Sequence, residues 1–186
     1  MDVEHAINRL RVVRRFADRP IADDDVAAIL AAARRTGSSK NTQKWAFIVV
    51  RDRDRLERLP GVGDYAGHLA GAALGIALVT PDPQRNEPFS VMWDLGRAAQ
   101  NMTLVAWNRG IGSVPATVYD QDLCREILRY PIDHHCEYVL SFGYPADAAD
   151  LTRPLRPDGR RPLAEMVHNE TWGHNREPLH QEGGQP

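Results

Sequence analysis

Apolar residues recur at intervals of three and four in several parts of the chain, which predicts amphipathic helices there. The clearest helix follows Pro20, and its apolar stripe consists of Val26, Ile29, Leu30 and Ala33. Aspartates at 23–25 suit the positive end of its dipole, and Gly37 is placed to end it. Further helices are predicted over 2–10, 52–59, 89–108 and 120–129. The helix over 89–108 is the longest, and its apolar face predicts a place in the core or at an interface.

Short runs rich in β-branched and aromatic residues predict strands between these helices. Residues 45–50 are interpreted as a central strand, and 71–80, 111–119 and 137–142 each contain another. Strands and helices alternate without a regular βαβ repeat, so the predicted fold is α+β, a mixed β-sheet flanked by helices. We expect one domain over 1–175, followed by a disordered tail over 176–186.

Composition narrows the class of protein. Of the 186 residues, 42% are hydrophobic and 26% are charged, which is typical of a globular domain. A net charge of −2 argues against a nucleic-acid partner, and two cysteines are too few for a disulfide framework. The longest apolar run, 71–79, is far shorter than the ~20 residues of a membrane span, and no signal peptide is visible. We therefore expect a cytoplasmic protein without a membrane partner.

A polar loop joins the helix after Pro20 to the first strand. Its small uncharged side chains are Ser38, Ser39, Asn41, Thr42 and Gln43. Hydroxyl and amide groups both donate and accept hydrogen bonds, so this loop suits a ligand with a polar edge. The same residue types also favour loops for conformational reasons alone, and the loop by itself leaves both interpretations open.

Four arginines lie within seven residues near the start of the chain: Arg9, Arg11, Arg14 and Arg15. Guanidinium groups pair bidentately with phosphate oxygens, so the run is a candidate phosphate clamp. A solvated basic face is the alternative interpretation of such a run.

Two other motifs lack the neighbouring residues or elements that a binding site of their type requires. Residues 61–66 match G-x-G-x-x-A but follow a helix instead of a strand, so a dinucleotide-binding turn is not predicted. His134, His135 and Cys136 are adjacent and have no second pair at zinc spacing, so no metal site is predicted. Cys124 and Cys136 suit core positions. We assign no catalytic side chain, which means that a cofactor would carry out the chemistry of an enzyme with this sequence.

Taken in order, several segments resemble the FMN-dependent nitroreductase family. They are RLRVVRRFADRPI, TGSSKNTQKWAFIVV, WDLGRAAQNMTLVAWNRGIGSVPATVYD, the strand ending in SFGYP, and GRRPLAEMV. The segments extend over about the first 175 residues, and their order and spacing carry the resemblance more than any single motif. The resemblance implies a nitroreductase-like fold and a homodimer with two FMN molecules at the subunit interface. It also implies that the C-terminal segment wraps the partner and that the long helix forms much of the dimer core.

The resemblance assigns site residues as well. Arg11 and Arg14 would bind the phosphate and ribityl end of FMN, with Arg160 and Arg161 completing the clamp. Val12 stands where family members often carry a serine that contacts FMN, so that hydroxyl contact is lost here. Residues that would reach the flavin from the other subunit are Ser38, Ser39, Asn41 and Gln43. Residues that would line the ring, with a backbone N–H near flavin N5, are Pro115, Ala116 and Thr117.

The implied activity is a ping-pong NAD(P)H oxidoreductase. NAD(P)H gives a hydride to flavin N5 and leaves, and a small electron-poor acceptor such as a nitroaromatic or a quinone then takes the electrons. Alternatives on the same fold are reductive dehalogenation and flavin breakdown. Another is a non-catalytic protein that stores or senses FMN, which the departures from the family pattern at Leu10 and Val12 allow.

Overall fold

The computed structural model describes residues 2–84, 89–154 and 159–174. The chain divides into two compact units, one up to Thr152 and the other from Arg153 onwards. Each unit is described by itself. The predicted single domain over 1–175 stays a prediction, and the predicted tail over 176–186 lies outside the described residues.

A four-stranded sheet forms the centre of the first unit. Its strands are β1 (Ala46–Val50), β2 (Leu74–Pro81), β3 (Gly112–Thr117) and β4 (His134–Gly143), in the order β1-β2-β4-β3. All three strand pairs are antiparallel, and a single parallel bridge links Val12 to Ser113 at the outer edge of β3. The predicted α+β fold, a sheet flanked by helices, is confirmed.

The prediction of a central strand at 45–50 was wrong, because β1 is an edge strand. Its apolar sequence reflects coverage of its faces: Phe47 packs against one hydrophobic core and Ile48 against the other. Apolar residues report burial of the two faces of a strand and carry no information about how many of its edges are paired.

Helices cover both faces of the sheet. They are α1 (Val3–Arg9), α2 (Asp23–Arg34), α3 (Arg53–Arg58), α4 (Ser90–Asn108) and α5 (Gln121–Leu128). Residues Ile29 of α2 and Met102 of α4 share a core with Ile76 of β2. On the opposite face, Leu56 of α3 and Ile127 of α5 share a core with Val79. No described helix is long and apolar enough to cross a membrane.

The ends of three helices show where residue type predicts the helix boundary and where it does not. Gly110 has φ +73° just after α4, and Asp120 caps α5 by accepting a hydrogen bond from the Leu123 amide at 2.8 Å. The prediction that Gly37 ends α2 was wrong, because α2 ends at Arg34 with Arg35 as its C-cap, and Gly37 does not have the positive φ of a helix-ending glycine. Gly37 instead contacts α4, as described below.

The segment after α1 lies along the outer edge of β3. The Val13 amide donates to the Ser113 carbonyl at 3.1 Å, and Phe16 forms an isolated bridge with Pro145. Gly112 allows this approach, because a Cβ there would lie 2.5 Å from the Cβ of Val13. The first strand-like part of the chain is therefore held beside β3, and this places the side chain of Arg14.

Candidate functional site

A cavity of about 450 Å³ lies where the N-terminal segment meets β3. It is lined by Arg14, Tyr65, Gly67, His68 and Pro115. Sequence analysis assigned Arg14 and Pro115 to one cofactor site, and the structure brings these two residues together. Pockets that bind small molecules have volumes of about 300–1,000 Å³, so this cavity has the size of a ligand site.

The outer edge of β3 supplies backbone groups beside the cavity. Pro115 has no N–H, which confines it to an edge strand with its nitrogen facing outwards. The Val118 amide donates to the Glu137 carbonyl of β4 at 3.0 Å. Because hydrogen-bonding groups alternate along an antiparallel strand, the N–H of Thr117 points away from β4, towards the outer edge. Ala116 is buried, so of the three predicted ring-lining residues Pro115 is the most exposed.

His68 is fixed by a short chain of hydrogen bonds. Its Nδ1 lies 2.7 Å from the hydroxyl of Ser141, and that hydroxyl donates to the Val114 carbonyl at 3.2 Å. The Ser141 oxygen is therefore the acceptor, and the proton of the neutral imidazole is assigned to Nδ1. Nε2 is buried and has no hydrogen-bond partner among the described residues. Burial lowers the pKa of His68, the positive charge of Arg14 lowers it further, and the Pro115 carbonyl opposes both.

The lowered pKa of His68 predicts a stability change in acid. The unfolded chain, with an ordinary histidine pKa near 6.5, binds this proton at higher pH than the folded protein does. Stability therefore falls as the pH drops below 6.5, until the folded protein is protonated too. We expect urea unfolding from pH 8 to pH 5 to show a smaller loss for His68→Gln than for the wild type. Parallel curves for the two proteins would contradict this expectation.

The predicted arginines occupy different environments. None of the described residues pairs with Arg14 by a hydrogen bond or an ion pair, and its side chain is exposed beside the cavity. Arg11 donates from Nη1 to the carbonyls of Asn8 and Leu10, both at 2.8 Å, and it does not line the cavity. Arg160 belongs to the second unit, where it donates to the Gly159 carbonyl at 2.8 Å, and its neighbour Arg161 is exposed.

Val12 is 52% exposed, although it bridges to Ser113. It offers no polar atom in its side chain, so any contact that it makes with a ligand is apolar.

The polar loop forms one turn of 3₁₀-helix, Ser39–Asn41. The Ser38 hydroxyl accepts from the Gln43 amide at 2.9 Å, and the Gln43 side chain donates to the Asn41 carbonyl at 3.3 Å. The side chains of Ser39 and Asn41 are exposed and make no hydrogen bond within the described part of the chain. The structure therefore separates the four predicted loop residues into two that shape the loop and two with side chains available to a ligand.

The backbone of this loop is strained. Lys40, Asn41 and Gln43 have φ values of 51°, 55° and 49°. Asparagine tolerates the left-handed region, but for lysine and glutamine that region costs about 1–2 kcal/mol per residue. Such a conformation persists only where surrounding contacts determine it.

Three polar side chains of α4 contact the residues just before this strained segment. Asp94 accepts from the Ser39 amide at 2.8 Å, Arg97 donates to the Gly37 carbonyl, and Asn101 donates to the Thr36 hydroxyl at 2.7 Å. We call Asp94, Arg97 and Asn101 the loop clamp. Asp94 is only 6% exposed and lies 3.7 Å from Nη2 of Arg97.

The loop and the cavity lie at opposite edges of the sheet. The loop leads into β1 at one edge, whereas Pro115 belongs to β3 at the other, with β2 and β4 between them. Three strand spacings of ~4.8 Å separate the edges by about 14 Å. One chain therefore does not bring Ser39 and Asn41 to the cavity that Arg14 and Pro115 line.

Other candidate groups have local roles. His134 pairs with Asp133 and His135 with Glu137, each at 2.8 Å. Within the described ranges no three His, Cys, Asp or Glu side chains could together hold a metal ion. Cys124 and Cys136 are both fully buried, which confirms their predicted core positions.

Sequence reasoning missed Tyr65, His68 and Asp94. The first two follow the glycines of 61–66, a segment that was considered only as a dinucleotide-binding turn. Asp94 was passed over because α4 was analysed through its apolar positions. The spacing of the loop clamp, i, i+3 and i+7, was a usable signal, since these positions share one helix face.

Comparison with known proteins supports the family resemblance that the order of sequence segments indicated. The family model described as "Nitroreductase family" matches residues 7–66 and 62–144. A protein of Archaeoglobus fulgidus that bears the name NADH dehydrogenase/NAD(P)H nitroreductase is 35% identical over 171 residues, covering 87% of this chain and 94% of the relative.

Solved structures agree with the sequence comparison. An FMN-dependent nitroreductase of Clostridium difficile superposes with a TM-score of 0.78 at 26% identity, over 90% of this chain and 98% of the other. A nitroreductase of Desulfovibrio desulfuricans, solved in complex with FMN, gives a TM-score of 0.75 at 26% identity, over 92% and 98%. The order of segments, the fold and these relatives lead to one conclusion: the chain belongs to the nitroreductase family.

Proposed function

We propose that this protein is an FMN-dependent NAD(P)H oxidoreductase that acts as a homodimer and reduces small electron-poor acceptors such as nitroaromatics and quinones. The observation that carries the proposal is the cavity where Arg14 meets the outer edge of β3. The relatives named as nitroreductases, one of them in complex with FMN, support the choice of cofactor.

The residues around the cavity fit FMN. An exposed guanidinium without a described partner suits the anionic phosphate and polar ribityl end, because charge-assisted hydrogen bonds to Arg are strong. Pro115 presents an apolar surface to an aromatic ring. The outward N–H of Thr117 is a donor of the kind that stabilises electron density arriving at a reduced ring. Arg11, Arg160 and Arg161 would complete the phosphate contacts.

The position of the polar loop supports a dimeric site. Ser39 and Asn41 have available side chains but lie at the sheet edge opposite the cavity of their own chain. A twofold-symmetric dimer places the same two surfaces against each other, so the loop of one subunit can reach the cavity of the other. Ser38 and Gln43 would hold that loop in shape while Ser39 and Asn41 contact the flavin.

Exposed apolar side chains support a second copy as the partner. Val3 and Ile7 of α1 are 70% and 59% exposed, and Phe89 and Trp93 beside and within α4 are 79% and 70% exposed. Helices α1 and α4 pack together, so these side chains belong to neighbouring elements. Apolar surface on adjacent elements marks an interface more than scattered single residues do.

The second unit carries exposed apolar side chains that suit packing against another protein surface. Within 159–174, Leu163, Met166 and Trp172 are 60%, 48% and 90% exposed. We propose that this C-terminal segment packs on the partner subunit, as the family resemblance implies.

FMN, when bound, supplies the redox chemistry: it accepts a hydride from NAD(P)H and passes the electrons to the acceptor in a ping-pong cycle. The part of the protein is to bind FMN, to orient it and to polarise its ring. Arg14 and the other arginines anchor the phosphate and ribityl end, Pro115 and Thr117 position the ring, and the partner loop closes the site. We assign no side chain as an acid or base.

The spectrum of the purified protein tests this proposal. We expect flavin absorption bands after incubation with FMN and bleaching of those bands by NADH or NADPH without oxygen. Addition of a nitroaromatic or a quinone should then restore the bands. Bands that never bleach would favour flavin storage or sensing instead. A protein that stays colourless with excess FMN would contradict the proposal.

A further inference from the structure

The loop clamp meets the polar loop in register. Along α4, Asp94, Arg97 and Asn101 face the same side at successive turns. In reverse order along the loop they contact Ser39, Gly37 and Thr36. One helix face therefore fixes the path of the chain from the end of α2 to the start of the turn.

Within the loop clamp, Asp94 holds the most consequential position. Its carboxylate accepts a hydrogen bond from the Ser39 amide. Ser39 immediately precedes Lys40 and Asn41, which both have positive φ. Asp94 is also the buried member, since its side chain is 9% exposed against 43% for Arg97. Loss of a buried acceptor frees the turn where its backbone is most strained.

We propose that Asp94 is a positioning residue for FMN binding, which acts by holding the polar loop so that Ser39 and Asn41 project towards the flavin of the partner subunit. This inference rests on the proposed function. We assign Asp94 a positioning role and no contact with the cofactor, because it is 6% exposed and its carboxylate accepts from the Ser39 amide.

The distribution of lysine gives a direct assay of loop shape. The chain contains only two lysines, Lys40 and Lys44, and both lie in the polar loop, while its other basic residues are arginines. A lysine-specific endoprotease therefore cuts only in this loop. An arginine-specific protease reports on the rest of the chain, so the two rates separate local opening from global unfolding.

The test compares wild type, Asp94→Ala, Asp94→Asn and Gln100→Ala. Gln100 is the matched control, since it is an exposed residue of α4 outside the loop clamp. We expect Asp94→Ala to raise the lysine-specific cleavage rate by about tenfold or more, the loss expected for a hydrogen bond to a charged group. Cleavage at arginines should stay unchanged. Asp94→Asn keeps an acceptor oxygen for the Ser39 amide and should restore most of the protection.

The same four proteins are then titrated with FMN and followed by flavin fluorescence and visible absorption. We expect Asp94→Ala to weaken FMN binding by about tenfold and to alter the flavin spectrum, because polar contacts to the ring are displaced. Asp94→Asn should be close to wild type, and Gln100→Ala should match it.

The outcomes separate the two proposals. If the wild type binds FMN and Asp94→Ala binds it equally well, with unchanged lysine-specific cleavage, the role of Asp94 is overturned and the proposed function stands. If Asp94→Asn is as defective as Asp94→Ala, the acceptor role is wrong. If the wild type binds no FMN, the proposed function fails, and the role of Asp94 in FMN binding fails with it.

Discussion

Replacement of Arg14 by glutamine is expected to weaken FMN binding roughly 10- to 100-fold, because it removes a charge-assisted contact from the wall of the cavity. Glutamine keeps much of the length and hydrogen-bonding capacity of arginine but carries no charge. The measurement is a titration of the apoprotein with FMN, followed by quenching of flavin fluorescence. Among the predicted phosphate ligands Arg14 should matter most, since it alone lines the cavity with Pro115.

Arg15→Gln is the matched control. Arg15 is the next residue, is exposed, and contributes its carbonyl to the Ala146 amide at 3.0 Å, so the substitution removes the same charge without altering the cavity wall. Equal losses for the two variants would show that general positive charge attracts FMN. An Arg14→Gln protein that binds FMN as tightly as the wild type would exclude Arg14 from the site.

Mixing two variants that are each defective in FMN binding is expected to restore activity at an FMN concentration too low to fill either defective site. One carries Arg14→Gln, at the cavity edge. The other carries Ser39→Ala with Asn41→Gly, at the loop edge, where glycine keeps the positive φ of Asn41. In a mixed dimer one site has both defects and the other has none. Random exchange makes half of the dimers mixed, so activity should return to about a quarter of the wild-type value.

A same-edge mixture controls for nonspecific recovery. Thr117→Pro removes an outward N–H from β3, a change that an edge strand tolerates. In mixed dimers of Arg14→Gln and Thr117→Pro every site keeps a defective cavity edge, so no activity should return. Recovery in this mixture, or none in the opposite-edge mixture, would contradict a site shared between subunits.

Local patterns predicted the helices well. The helix expected over 89–108 is Ser90–Asn108, and the Asp120 cap stands where its side-chain type placed it. These signals depend on neighbouring residues alone. The position of β1 was wrong for the opposite reason, since its place at the edge is decided by pairing with distant segments.

The site was only partly predictable. The family resemblance named Arg14 and Pro115, but their shared cavity depends on the close approach of Val13 to Gly112, which no spacing in the sequence reveals. The same holds for His68, which enters the cavity through a hydrogen bond to Ser141 across 73 positions of sequence. Residue type is also a poor guide to the backbone of the polar loop, because Lys40 and Gln43 adopt positive φ although that region is unfavourable for both.

Arg11 shows why the role of a residue cannot be assigned from its position in a family motif alone. Its place in the motif suggested a phosphate ligand, yet its Nη1 is occupied by the carbonyls of Asn8 and Leu10 at the end of α1. Whether a guanidinium remains free for a ligand depends on the local chain path, which the motif does not contain. The proposed contact from Arg11 to FMN therefore requires its remaining N–H groups.

If the site is shared between subunits as proposed, the separation of the two sheet edges would make cofactor occupancy depend on protein concentration. In the proposed dimer, a single folded subunit would supply half of each of two different sites and no complete one, since its loop and its cavity lie at opposite edges of the sheet. By mass action, dilution below the dissociation constant of the dimer would release FMN even though every chain stays folded, and excess FMN would draw subunits together. In a cell, the amount of this protein would then set its specific activity as well as its total activity.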